Sequence, residues 1–344
     1  MSPRRRPAAQ PRHQYGLSLL EMMIAMTISL FLLVGLAGIF ANSSRTQNEL
    51  TRTARQIEDG RFAISLLADD LSLAGYYGYF YSPSAPSALV DPCETADMTV
   101  LRNGVSLPIQ GYNAPTSTPL SCLAAANFTP GTDVLVVRRA DSKTTAVGSL
   151  AANEVYLQAN ADTTNGANPV IATGTASNFP LLLKDGATLA PIRKFHVHTY
   201  FISPCSVGDG SGGACTASSD GGKPIPTLKR MELVVDAGGS RVLDTVPLVE
   251  GVENMQVDYG IDADGDGTQE SWVTAPSTVA DWANVMSVRV TLLVRNVEAT
   301  PGYTDPKTYT LGAAGTITPG GSYKRHVYQT AVRLVNPSGR RETP

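Results

Sequence analysis

Hydrophobic positions along this chain fall into two regimes. From Met22 to Ala41 run 20 residues without a formal charge, about what an α-helix needs to cross a bilayer. One carboxylate, Glu21, stands at the N-terminal edge of the run, where a charge is costly. The polar stretch Asn42-Ser43-Ser44-Arg45 keeps a helical character, and no proline occurs between Leu17 and Tyr81. From Leu50 the positions Leu50, Ala54, Ile57, Arg61, Ile64, Ala68 and Leu71 step by four and three and are apolar except for Arg61. That spacing predicts the buried face of an amphipathic helix. The two halves together predict a single rod of roughly 88 Å ending near Gly75, at 1.5 Å per residue.

Past Gly75 the period shortens to two. Segments rich in β-branched and aromatic residues predict strands over Asp133–Arg139, Glu154–Gln158, Ile192–Ile202, Lys229–Asp236, Val252–Ile261, Val285–Val294 and Tyr323–Val335. Clusters of Gly, Pro, Ser, Thr and Asn separate them, as in antiparallel sheet joined by loops. In Val285–Val294 the residues Val288, Val290, Leu292 and Val294 share one side, which predicts one buried face. Loops around 80–125, 141–180 and 203–226 are long and polar. The expected fold is α+β, a long N-terminal helix packed on a large antiparallel β-sheet domain. Its expected divisions are a leader at 1–16, a transmembrane half-helix at 17–41, an amphipathic half-helix at 42–75 and a β-rich domain at 76–344.

Charge adds a direction to this picture. The 344 residues carry a net charge of -3, but residues 1–16 hold four of the 27 basic residues and none of the 30 acidic ones. The remainder is left with 23 basic against 30 acidic residues. Basic residues before the apolar run place the N-terminus in the cytoplasm and the body across the membrane. An acidic body argues against a nucleic acid as its ligand. Four cysteines, Cys93, Cys122, Cys205 and Cys215, suit an oxidising compartment. They allow three pairings, of which the local one closes the shortest loops. Each bridge would add roughly 3 kcal/mol by restricting the unfolded chain. Zinc is disfavoured, since no paired C-x-x-C spacing or interleaved histidine occurs.

Few other residues suggest chemistry. Asp262, Asp264 and Asp266 alternate ahead of Gly267, as in the first half of a calcium loop, and Glu270 could complete a small site. Val273 stands where an EF-hand needs its bidentate Glu, so a solvated turn between strands is the competing reading. Gly208–Gly213 matches G-x-G-x-x-G but has no strand before it or helix after it, which a dinucleotide site requires. His196 and His198 share one side of a predicted strand without an identifiable third ligand. The Tyr76–Tyr81 cluster reads as packing between helix and sheet. No G-x-S-x-G, H-E-x-x-H or P-loop is present, and the chain is expected not to be an enzyme.

Three groups of residues carry a resemblance. A basic leader ending in Gly16, a Glu five residues later and an unbroken apolar helix resemble the class III signal of type IV prepilins. Gly60-Arg61-Phe62-Ala63, followed by Asp70-Leu71 and Ala74-Gly75-Tyr76-Tyr77-Gly78, is similar to the helix end of PilW-type minor pilins. Val252–Gly260, a following Trp and Val288–Arg295 resemble the same family. The resemblance implies cleavage between Gly16 and Leu17 by a prepilin peptidase, with N-methylation of Leu17. Family members usually begin the mature chain with Phe, and this one would begin with Leu.

It further implies that the Glu21 carboxylate pairs with the α-amine of a neighbouring subunit. Pairing would relieve a cost on the order of 2.5–3.5 kcal/mol for a charge deep in lipid. The implied partners are the peptidase, other minor pilins, the major pilin and a tip adhesin. The implied location is the inner membrane, in a single pass, and then the pilus surface. The implied role is pilus assembly and priming at the tip. A pseudopilin of a type II secretion system, or an adhesin or DNA-uptake subunit displayed on the fibre, are the alternatives.

Overall fold

The computed structural model describes residues 16, 18–80, 87–161, 169–209 and 213–342. One helix, α1 (Leu19–Ser72), takes the place of the expected rod and stops three residues short of Gly75. Gly75 follows with φ of 71°, a left-handed conformation that lets the chain leave the helix. Inside the apolar run, Thr27 donates its hydroxyl to the Ile24 carbonyl (2.8 Å) and Ser29 to that of Ala25 (2.6 Å). No hydroxyl there is left as an unsatisfied donor in an apolar surrounding.

The chain divides into two compact units between Thr51 and Arg52, within α1. In the N-terminal unit the large apolar side chains stay exposed, Phe31 at 80% and Phe40 at 77%. The second unit holds everything else: α2 (Met98–Asn103), β1 (Ile109–Tyr112), β2 (Val134–Ala140), β3 (Val155–Gln158), β4 (Val170–Thr173), β5 (Ile192–Ser203) and the short turn α3 (Ser219–Gly222). There follow β6 (Thr227–Val235), β7 (Arg241–Glu250), β8 (Val252–Ile261), β9 (Ser271–Val273), α4 (Val279–Ala283) and β10 (Val285–Arg295). β11 (Tyr309–Thr310), β12 (Thr316–Ile317), β13 (Arg325–Arg333) and α5 (Val335–Glu342) complete it.

All pairings are antiparallel. A seven-stranded sheet runs β1-β2-β5-β3-β4, with β6 on β5 and β7 on β6; a four-stranded sheet runs β13-β10-β8-β9. One apolar core joins both sheets to the helix. Ala63, Leu67 and Leu71 of α1 meet Leu135, Val137 and Tyr200 of the larger sheet and Val257, Val288 and Val290 of the smaller. On its other face the larger sheet buries Val136, Leu157, Phe195 and Val197 against Tyr77 and Phe80. Being covered on both faces explains why β2 opens with the continuous apolar run Val134–Val137. The expected role of the tyrosine cluster holds for Tyr77, while Tyr79 is exposed and Tyr81 lies outside the described residues.

Two patterning expectations are corrected. The covered face of α1 is Gln56, Gly60, Ala63, Leu67, Asp70 and Leu71, about one residue round from the apolar stripe. Leu50 (67% exposed) and Arg61 face solvent. Polar and small residues occupy the buried face because specific partners require them there. Gln56 donates to the carbonyls of Val294 (2.7 Å) and Lys324 (3.0 Å), and Gly60 lies under the ring of Tyr328. Strand β10 is buried on both faces rather than one, since Leu293 packs with Tyr309 and Leu311 from the loop carrying β11.

Gly60 supports a prediction. A Cβ there would fall within the Tyr328 ring, so Gly60→Ala forces the ring aside. Overpacking costs about 1–3 kcal/mol, against a gain in helix propensity of about 1 kcal/mol. Thermal melting of Gly60→Ala is expected to show a net loss, which Tyr328→Ala in the same chain should relieve.

The end of α1 leaves carbonyls without intrahelical partners. Residues of α5 supply them: Asn336 donates to the carbonyls of Ser72 (3.4 Å) and Ala74 (3.2 Å), and Arg340 to that of Gly75 (2.9 Å). The cysteines pair locally, Cys93 with Cys122 and Cys205 with Cys215, at Cα separations of 5.5 and 5.6 Å. The first bridge joins two irregular segments 29 residues apart, and the second closes a loop of separation 10 just after β5.

Candidate functional site

Three places in the chain concentrate chemistry. The first is the start of α1. Ser18 precedes the first helical residue, and its amide donates to Glu21 Oε2 at 3.0 Å. Glu21 thus occupies the third helical position and completes half of a capping box, with its carboxylate next to the positive end of the helix dipole. The Ser-x-x-Glu spacing is legible in the sequence as a helix start, a signal that the reading of Glu21 as an intersubunit partner passed over. Gly16 is exposed, and a Cβ added to it would meet nothing within 4 Å. No contact among the described residues requires glycine at 16. Leu17 lies outside the described residues.

The second place joins α1 to the larger sheet. Asp70 is buried and accepts from Arg139 Nε (2.6 Å), from His198 Nδ1 (2.8 Å) and from the Tyr200 hydroxyl (2.8 Å). Burial alone would raise the carboxyl pKa, but the hydrogen bond and charge of His198, with Arg139, hold it below the usual carboxylate range. Burial and the Asp70 charge push the Tyr200 hydroxyl up. Beside this group His196 is lowered to about 3, by burial first and then by the charges of His198, Arg139 and Lys194. His196 is therefore neutral at physiological pH. His198 gives one ring nitrogen to Asp70 and so ties the larger sheet to α1. Sequence reasoning missed Asp70 because its partners lie 128 and 130 residues away.

The third place is the turn after β8. Carboxylate oxygens of Asp262, Asp264, Asp266 and Glu270 all lie within 4.8 Å of one another, so the structure does bring the expected set together. Much of that acceptor capacity is already used. Asp262 accepts from the amides of Gly265 (2.6 Å) and Gly267 (2.9 Å) and pairs with Arg341 (2.7 Å), while Glu270 accepts from the Ala263 amide (2.6 Å). Burial pushes the Asp262 carboxyl up, and Arg341 with the two amides outweighs it, leaving the group below its ordinary value. Gly265 and Gly267 both sit at φ of 88°, which only glycine adopts without strain. Of the Gly208–Gly213 stretch, residues 210–212 lie outside the described residues.

Two family models match parts of the chain. The family model of type IV pilus-assembly protein W matches residues 200–336, which run from the end of β5 into α5. The prokaryotic N-terminal methylation motif matches residues 11–37, spanning Gly16, Leu17 and Glu21. The helix-end residues Gly60–Gly78 fall outside both matched spans. No curated protein sequence matches significantly. Among solved structures, a type IV-like pilin from Thermus thermophilus aligns over 82% of this chain and 98% of its own, at 11% identity and a TM-score of 0.30. That superposition is too loose to carry a conclusion. The chain thus carries a prokaryotic N-terminal methylation motif on an apolar helix and, over residues 200–336, a segment similar to type IV pilus-assembly protein W.

Proposed function

We propose that this chain is a minor pilin that takes part in priming type IV pilus assembly and in the tip complex. Before that it would be inserted in the inner membrane, cleaved between Gly16 and Leu17, and N-methylated at Leu17. The observation that carries the reading is α1. A run of exposed apolar side chains has a single carboxylate at its first turn, on a chain whose second unit is closed and well packed. Such a helix exchanges lipid for neighbouring helices at little cost, and Glu21 is its one strongly directional group. The methylation motif matched over residues 11–37, which includes Gly16 and Leu17, supports processing. The two disulfides support a body in an oxidising compartment, with the N-terminus on the cytoplasmic side.

The expected partners are the prepilin peptidase, the major pilin, other minor pilins and a tip adhesin. The role is structural, with Asp70 tying α1 to Arg139, His198 and Tyr200 of the larger sheet. A tagged full-length chain recovered from sheared pili tests the reading, with its N-terminus determined by mass spectrometry. The expected result is a methylated Leu17 N-terminus in the pilus fraction. An intact residue 1–16 leader, or a protein confined to the membrane fraction of piliated cells, would overturn it.

The convergent acidic turn favours one addition, a calcium ion held by Asp262, Asp264, Asp266 and Glu270. Binding to the folded state alone raises stability, by about 2.7 kcal/mol at a hundredfold excess over Kd. Millimolar calcium should raise the melting temperature against a chelator control, and Asp264→Asn with Asp266→Asn should remove the rise. No shift in the unmodified protein would leave the turn as a structural element closed by Arg341.

A further inference from the structure

Sheet edges invite pairing with other chains, and folded proteins normally guard them. In this fold β1 and β4 are four residues long and β9 three, too short to template a strand. β7 is ten residues long but carries Pro247, the exposed Asp244 and a register shift against β6. β13 has no proline, no acidic residue and no register shift. It is nine residues long, Arg-His-Val-Tyr-Gln-Thr-Ala-Val-Arg, and its register on β10 is unbroken from Arg325 opposite Arg295 to Arg333 opposite Ser287. β10 is its one strand partner among the described residues.

A groove of 630 Å³ lies alongside, between α1, β13 and the loop at 303–307. Its lining includes Ile57, Arg61, Tyr303, Lys307, His326 and Tyr328, and no carboxylate. Arg61 and Lys307 are exposed and have no acidic partner within 4.0 Å among the described residues. The charge also selects the occupant. A second copy of β13 would bring Arg-His-Val-Tyr-Gln-Thr-Ala-Val-Arg, a strand without a carboxylate, to a groove whose charged lining is basic.

We propose that β13 is a strand-addition edge. A different pilin subunit would extend the four-stranded sheet by one strand whose flanking carboxylates lie in the basic groove. Main-chain hydrogen bonds along the strand would supply the affinity, and Arg61, Lys307 and His326 the selectivity for acid. The proposal rests on the assembly reading for the kind of partner, but not for the existence of the edge.

The test uses the full chain in detergent micelles and two synthetic nine-residue peptides. Both have a Thr-Val-Thr-Val-Thr core; one carries two Asp at each end, the other two Lys. Fluorescence anisotropy is expected to show the acidic peptide binding at least about tenfold more tightly, with a preference that fades as salt screens it. Amide hydrogen exchange should slow across 326–332. The surface double variant Arg61→Glu with Lys307→Glu should weaken the acidic peptide at least about tenfold while melting as the unmodified protein does. No binding, equal binding of both peptides, protection elsewhere, or binding unchanged in the double variant would each overturn the proposal. Protection of 326–332 that rises with protein concentration in the absence of peptide would overturn the choice of a different subunit in favour of a second copy. No pilus is involved, so failure here and absence of the protein from sheared pili are separate results.

Discussion

Glu21→Ala is expected to leave membrane insertion and leader cleavage intact and to reduce the protein in sheared pili at least about tenfold. Insertion depends on the uncharged run Met22–Ala41, which the substitution does not touch, and removing a carboxylate from its edge eases burial in lipid. What is lost in the isolated chain is small. The Ser18 amide loses its acceptor and the helix dipole loses a favourable charge, together on the order of 1 kcal/mol. In an assembling fibre the loss is larger, because the carboxylate is the group available to meet a neighbour's α-amine within a bundle of apolar helices. Glu21→Gln separates the two roles, since it keeps an oxygen for Ser18 and discards the charge. Quantitative immunoblots of sheared pili should place Gln near Ala. Recovery of Gln at the unmodified level would assign Glu21 to capping alone, and normal recovery of Ala would remove it from assembly.

Asp70→Ala is expected to cost about 3–5 kcal/mol, the usual result of deleting one partner of a buried pair. Arg139, His198 and Tyr200 would keep their positions in the sheet and lose the acceptor they share. For a domain of this size the loss corresponds to a fall in melting temperature on the order of 10 °C. Acid separates charge from packing. The folded-state pKa of Asp70 is depressed, so its contribution is fully present above the unfolded value of about 4 and is lost as pH falls towards the folded one. Asp70→Asn should therefore be less stable at neutral pH and show a shallower decline below about pH 4. Chemical denaturation at several pH values would show it; parallel curves for the two proteins would mean that the charge contributes nothing.

The readable parts of the fold were those decided by local pattern. An uncharged run fixes the membrane half of α1 whatever surrounds it. β8 begins and ends where its β-branched alternation does, and β2, β5 and β10 lie within a residue or so of their apolar runs. β7 was not legible: Asp244 and Pro247 weaken its signal, and the same residues suit it to an unshared edge. β1, β4 and β9 are too short to show a period. The face of α1 was misread because periodicity counts apolar side chains, whereas Gln56, Gly60 and Asp70 are buried for individual partners in distant strands. At the site, the N-terminal motif and the acidic turn are each contiguous in sequence and therefore legible there. The Asp70 cluster is assembled from separated elements and is not legible there.

The contacts at the end of α1 also bear on the order of events during synthesis. Asn336, which donates to the Ser72 carbonyl, is made 264 residues after it, and Arg340 follows Gly75 by 265. The helix therefore emerges and enters the membrane long before its own terminus can be closed. A chain stalled or clipped before residue 336 would carry a normal export and processing signal yet leave those carbonyls open and the Asp262 turn without Arg341. Completion of translation becomes a condition for a closed body, so unfinished chains would be marked for surveillance proteases by their own loose ends.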